Sequence, residues 1–184
     1  MPMKIYYFET QENQAYLVSP YVDDDPCEPD PPRSLAAEWS PPTLTIVTND
    51  AFHSNLPKCD FPAYLPTTAF LSARAVKRLR PMLLACGEIL PINLSNDHDI
   101  FYLFNVTRVI EAVDMKRSRF MELPSGAIGP CELLVFDPAL SDALFFKNTQ
   151  MGPATRIFAT EQAVTAVQSA KLSGYEFRLA WTDE

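Results

Sequence analysis

Few residues in this 184-residue chain have types that do chemistry, and none fall into a catalytic pattern. The histidines are His53, in a proline-rich stretch, and His98, in the cluster Asn96-Asp97-His98-Asp99. His53 with Cys59 would make a thiol–imidazole pair, in which the base activates the nucleophile. His98 between Asp97 and Asp99 offers metal-ligand types, although an exposed turn histidine is the commoner reading. Glu88, Glu111 and Asp114 supply carboxylates for acid–base work, but their spacing does not show that they converge. Cys27, Cys59, Cys86 and Cys131 lie far apart and match no C-x-x-C metal or redox spacing, so free thiols are expected in a reducing cytosol. The five glycines stand singly, and neither a phosphate-cradling loop nor G-x-S-x-G can be written. The expectation is no catalytic residue, no cofactor and no metal.

Charge is the more informative property. Net charge is -8. Residues 1–70 hold three basic and ten acidic groups, whereas residues 71–184 hold twelve and thirteen. An acidic first third is the wrong sign for a nucleic-acid binder and suits a basic protein partner. The excess peaks in the Pro/Asp-rich stretch at about 20–33, where Asp23, Asp24, Asp25, Glu28 and Asp30 place five carboxylates in eight residues. Its prolines remove backbone donors, so neither a helix nor a central strand runs through it. Two readings stand: a solvated surface loop, or an acidic contact surface with Tyr21 and Trp39 beside it. A calcium loop would need the glycine and distal glutamate that are missing here. Lys116, Arg117 and Arg119 form a small basic cluster that reads as solvated charge or as a contact for carboxylate or phosphate.

The elements around these residues are legible. Ser72 caps a helix whose apolar face is Val76, Leu79 and Met82 or Leu83, with Arg74, Lys77 and Arg78 on another face. Pro81 predicts a kink or a fresh start, and Gly87 a left-handed stop. Strands follow at 88–94 and 101–109. Earlier strands are expected at 3–8 and 16–19, as a hairpin, and at 43–48. A turn at Pro124-Ser125-Gly126, a strand at 131–136, a short helix after Asp137-Pro138 and a strand or buried edge at 144–147 come next. Thr160 caps a second helix that Gly174 ends, and Tyr175–Trp181 alternates as a strand. The expected class is α+β: a single domain over 1–184, with a mixed or mainly antiparallel sheet and two main helices at about 72–85 and 160–172. No run of about 18 apolar residues predicts a membrane helix, and residues 1–14 lack the apolar core of a secretory signal, which predicts a cytoplasmic protein.

The run Ser72–Ile92 (S-x-R-A-V-x-x-L-R-P, then G-E-x-L-P), then Asn105–Ile110, Asp114, Ser118, Val135–Pro138 and Leu172–Gly174 leading to Phe177 and Trp181, resembles bacterial immunity proteins of polymorphic toxin systems, the "immunity protein eleven" family. The resemblance implies a non-enzymatic protein that binds and neutralises a cognate toxin, contact-dependent or type VI secreted, by stoichiometric occlusion. The toxin would be encoded by the adjacent gene, and the chain would be a monomer or homodimer without nucleic-acid or membrane partners. The rival readings are a regulatory domain binding a small molecule or another protein, and a small enzyme with a pocket collecting Cys59, His53 or Glu88.

Overall fold

The computed structural model describes residues 2–21, 25–29, 31–122, 128–137, 140, 143–151 and 156–183. Among them are eleven strands and two helices, an α+β arrangement that is mostly sheet. The first sheet is antiparallel and holds β1 (Lys4–Thr10), β9 (Phe145–Phe146), β10 (Phe158–Thr160) and β11 (Tyr175–Thr182) in the order β11-β1-β10-β9. The second is mixed. It holds β2 (Tyr16–Val18), β3 (Thr43–Val47), β4 (Ala69–Ser72), β5 (Gly87–Leu94) and β6 (Phe101–Val106) in the order β2-β3-β5-β6-β4. Only β3 and β5 run parallel there. A separate ribbon pairs β7 (Arg119–Glu122) with β8 (Ile128–Leu133).

Period-2 alternation divides the core. In β6, Phe101 and Leu103 join one apolar cluster with Leu17, Leu44 and Ile92, while Phe104 and Val106 join another on the opposite face. In β1, Phe8 enters that same central cluster, and Ile5 enters a third one with Phe136, Phe146 and Phe158. The central cluster is therefore built from both sheets. It also takes the apolar stripes of both helices, Leu79 and Leu83 from one and Val164 and Val167 from the other.

Several expectations change. β1 and β2 are not a hairpin: β1 pairs with β10 and β11, and β2 pairs with β3. Helix α1 (Ala73–Leu84) has Ser72 as its cap, the Ser72 hydroxyl accepting from Ala75 N at 3.1 Å, but it runs through Pro81 without a fresh start. Gly87 is not the left-handed stop. It opens β5, and a Cβ there would sit 2.1 Å from Asn105 O, so close strand approach is what requires glycine. Helix α2 (Glu161–Ser169) ends three residues before 172, and Lys171 takes the left-handed conformation with φ 49°. Thr160 stands at the cap position, yet its hydroxyl donates to Ala143 O at 2.7 Å rather than capping.

The alternation of β11 breaks at a bulge. Ile5 faces Trp181 but Tyr6 faces Leu179, which leaves Ala180 as the extra residue. Ala180 and Trp181 both pack on the third cluster, and Leu179 is turned to solvent. The helix expected after Asp137-Pro138 and the turn Pro124-Ser125-Gly126 lie outside the described residues.

Candidate partner-binding surface

The surface forms where β2 ends the second sheet. β2 is three residues long, and its outer side is covered by residue 63, through Leu17 N to Ala63 O at 2.8 Å. The chain beyond β2 folds back over this end. Cys27 is driven into the second core, 2% exposed, and burial pushes its thiol well above the ordinary range. Asp25 turns the segment by accepting from Cys27 N at 2.9 Å, and the Tyr64 hydroxyl donates to its other oxygen. Glu28 accepts from the Thr67 hydroxyl. Three ties thus hold residues 25–29 against the end of the sheet.

A cleft of about 560 Å³ results. Asp25 and Glu28 line it, with Val18, Tyr21 and Leu65, each more than 40% exposed. A second cleft of about 390 Å³ shares Tyr16, Leu17 and Tyr64 with it and adds Glu12, Asp50 and His53. Neither cleft has a lysine or arginine among its described lining residues. Elsewhere among the described residues of the acidic first third, charge is paired: Glu9 with Arg156 and Arg178, Glu38 with Arg33, Asp60 with Arg74. Hydrogen bonding to Arg178 above all holds the Glu9 carboxyl below its usual range. Glu12, Asp25 and Glu28 have no such cationic partner among the described residues. Within the described part of the first third, the carboxylates without a cationic partner therefore line the two clefts.

Of the residues singled out from sequence, Tyr21, Asp25 and Glu28 come together here. Asp23, Asp24 and Asp30 lie outside the described residues. Trp39 lies apart: its ring packs on the second core and its indole N–H donates to Pro91 O at 2.8 Å. Sequence reasoning missed Val18, Tyr64, Leu65 and Thr67, because nothing local marks a residue that meets its partner only through the tertiary fold.

The candidates for chemistry disperse. Cys59 and His53 line different clefts. Burial pushes the Cys59 thiol up to about 11, and Gly174 crowds its sulfur, where a Cβ would stand 2.5 Å away. His53 is held by Asp50, Nδ1 to Oδ1 3.1 Å. Burial tends to raise the Glu88 carboxyl, but bonds from Leu35 N, the Ser34 hydroxyl and Asn105 Nδ2 hold it below its usual range. Asp114 accepts from Lys116 N and Arg117 N, so the basic cluster is built on an Asx turn, and Glu111 accepts from the Thr149 hydroxyl. Asp97 and Asp99 both take Lys58 Nζ, at 2.5 and 2.7 Å. Among the described residues no group of three His, Cys, Asp or Glu is placed to hold a metal ion.

Residues 93–182 match the model of the Immunity protein family (Imm11). Over that span the chain is similar to an immunity protein. The match agrees with the resemblance read from the sequence, but it starts at the end of β5 rather than at Ser72. It takes in β6 to β11 and α2, and leaves out α1, β1 to β4 and both clefts. No curated protein matches the chain. No helix among the described residues is long and apolar enough to cross a membrane. The immunity-like part supplies the first sheet except β1, and the acidic clefts belong to the part that the family match does not reach.

Proposed function

We propose that this chain is a cytoplasmic immunity protein that binds a cognate bacterial toxin, contact-dependent or type VI secreted, and neutralises it by stoichiometric occlusion with no chemistry of its own. The family match over residues 93–182 carries the reading. The interface is proposed at the clefts beside β2, with Tyr21, Asp25 and Glu28 lining the larger one and Asp23, Asp24 and Asp30 in the same stretch of sequence. Trp39, which packs apart from the clefts and bonds Pro91 O, is not part of this proposed surface. Two features favour the location: carboxylates without cationic partners speed encounter with a basic partner, and exposed Val18, Tyr21 and Leu65 offer apolar surface to bury. A stable complex of this kind buries about 1,600 Å² in total, more than one cleft provides, so the toxin must also cover the surface around both.

The test is co-expression. The product of the adjacent upstream gene is expressed in a heterologous bacterium, alone and with this chain. Growth arrest that this chain relieves, with the two proteins recovered as one complex, is the expected result. A toxic neighbour that soluble expression of this chain fails to neutralise would exclude the pairing.

A further inference from the structure

We infer that the loop at residues 49–55 is a preformed aromatic plug, which inserts Phe52 into an apolar pocket on the toxin rimmed by lysine or arginine side chains. This rests on the toxin-binding reading and assigns a contact within it.

Phe52 is 90% exposed, the most open large apolar side chain among the described residues. A phenyl ring left in water forgoes the free energy of burial, and a slack loop would fold it inward. This loop cannot. Asp50 Oδ1 accepts from Phe52 N and His53 N, both at 2.7 Å, and Asp50 N donates to His53 O at 2.8 Å. The other Asp50 oxygen takes the Tyr16 hydroxyl at 3.1 Å, which ties the turn to β2. Asn49 Oδ1 accepts from Asn55 N at 2.8 Å, Asn55 adopts φ 58°, and Leu56 N donates to Thr48 O at 2.8 Å to close the base. The bond from Phe52 N, ahead of the others, holds the Asp50 carboxyl down to about 2, so the turn stays pinned throughout the physiological range. The His53 ring stands edge-on to Phe52, centroids 6.5 Å apart.

An aromatic ring on a backbone already fixed loses little freedom when it docks, which is the property shared by the anchors that dominate interfaces. The surroundings name the partner's charge. Asp50 and His53 line the smaller cleft together with Glu12, and that cleft runs into the acidic one through Tyr16, Leu17 and Tyr64. The ring therefore stands on a turn whose Asp50 and His53 line the smaller cleft with Glu12. A basic protein surface suits these carboxylates, and an anionic membrane is repelled by them.

The experiment compares the wild-type chain, Phe52→Ala and Leu179→Ala for binding to the purified product of the adjacent upstream gene, by surface plasmon resonance. Leu179 is 49% exposed on β11 and serves as the exposed apolar comparator. Phe52→Ala is expected to weaken binding by about 30-fold or more, mainly through faster dissociation, with unchanged thermal unfolding, and Leu179→Ala to leave binding unchanged. Asp50→Ala, which keeps the ring but frees the turn, is expected to lose part of the same affinity. Wild-type binding with Phe52→Ala within about twofold overturns the plug and leaves the immunity reading standing. Failure of the wild type to bind removes both. Phe52-dependent sedimentation with phosphatidylglycerol vesicles, in place of toxin binding, overturns the plug in favour of a membrane contact.

Discussion

Asp60 and Ser173 grip each other in both directions. Asp60 N donates to Ser173 O at 3.1 Å, and Ser173 N donates back to Asp60 Oδ2 at 3.1 Å. The pair joins the segment before β4 to the turn between α2 and β11. The same carboxylate accepts the Ser72 hydroxyl at 2.6 Å and Arg74 Nη1 at 3.2 Å, so it also orients the cap of α1. Arg74 Nη2 continues to Lys171 O at 2.8 Å, and Arg78 bonds Ala170 O, which satisfies carbonyls left open at the end of α2. The end of β4, the first turn of α1 and the turn between α2 and β11 thus meet at a side chain that is 6% exposed.

Asp60→Ala is therefore expected to cost about 3 kcal/mol, because it leaves Ser173 N and the Ser72 hydroxyl facing a site with no acceptor. Asp60→Asn keeps one acceptor oxygen and is expected to cost less. Urea denaturation measures both, and a loss for Asp60→Ala below about 1 kcal/mol would show that the junction is held by apolar packing instead.

Gly87→Ala tests strand approach rather than backbone freedom. Its Cβ would lie 2.1 Å from Asn105 O and 2.9 Å from Val106 Cα, both main-chain atoms of the paired strand. A backbone cannot step aside as a flexible side chain can, so β5 and β6 must separate. A loss of about 3 kcal/mol or failure to fold is expected, read from thermal unfolding of purified protein. A variant as stable as the wild type would mean that the two strands can slide apart at no cost.

The sequence made individual elements legible wherever one local rule decided them. Ser72 caps its helix through its hydroxyl, β-branched Thr43–Val47 forms a strand, and Tyr175–Trp181 packs aromatic residues on the core. It did not disclose pairing. That β1 joins β10 and β11, more than 150 residues away, depends on closing a long loop that no local pattern encodes. The bulge at Ala180 and the role of Gly87 were hidden for the same reason, since each answers to a partner strand. At the candidate surface, the negative charge around Asp25 and Glu28 could be read from composition, whereas their ties to Tyr64 and Thr67 could not. Phe52 did carry a signal, a large aromatic inside the polar run Asn49–Asn55, where burial was not to be expected.

The four thiols should separate sharply in reactivity. Cys27, Cys59 and Cys86 are buried, and burial raises each above its ordinary value of 9.0, which suppresses the reactive thiolate. Desolvation raises Cys131 as well, so the difference is access: Cys131 is the exposed one, on β8, with its sulfur 3.6 Å from Arg119 O. Ellman's reagent at pH 8 is expected to label one thiol per folded chain and four after unfolding, with Cys131→Ser abolishing the first. Rapid labelling of two or more thiols in the native protein would contradict the tight seating of Cys27 and Cys59.

Charge at the β2 clefts can be separated from the geometry it also maintains. Asp25 and Glu28 hold Tyr64 and Thr67, so replacing them would change shape and charge together. Asp23→Lys with Asp24→Lys changes the charge while sparing those two bonds. If the acidic segment steers a basic toxin, this double variant should slow association by about tenfold or more at low salt, and should flatten the dependence of association rate on ionic strength, because screening acts on long-range attraction. Tyr64→Phe is the counterpart: it removes the tie to Asp25 without altering charge, and should cost about 1 kcal/mol of stability while leaving the salt dependence intact. Stopped-flow association across a salt series distinguishes them. An unchanged rate and slope for the double lysine variant would assign Asp23 and Asp24 to solvation of the surface, and the interface would then have to rest on Phe52, Tyr21 and the apolar rim of Val18 and Leu65.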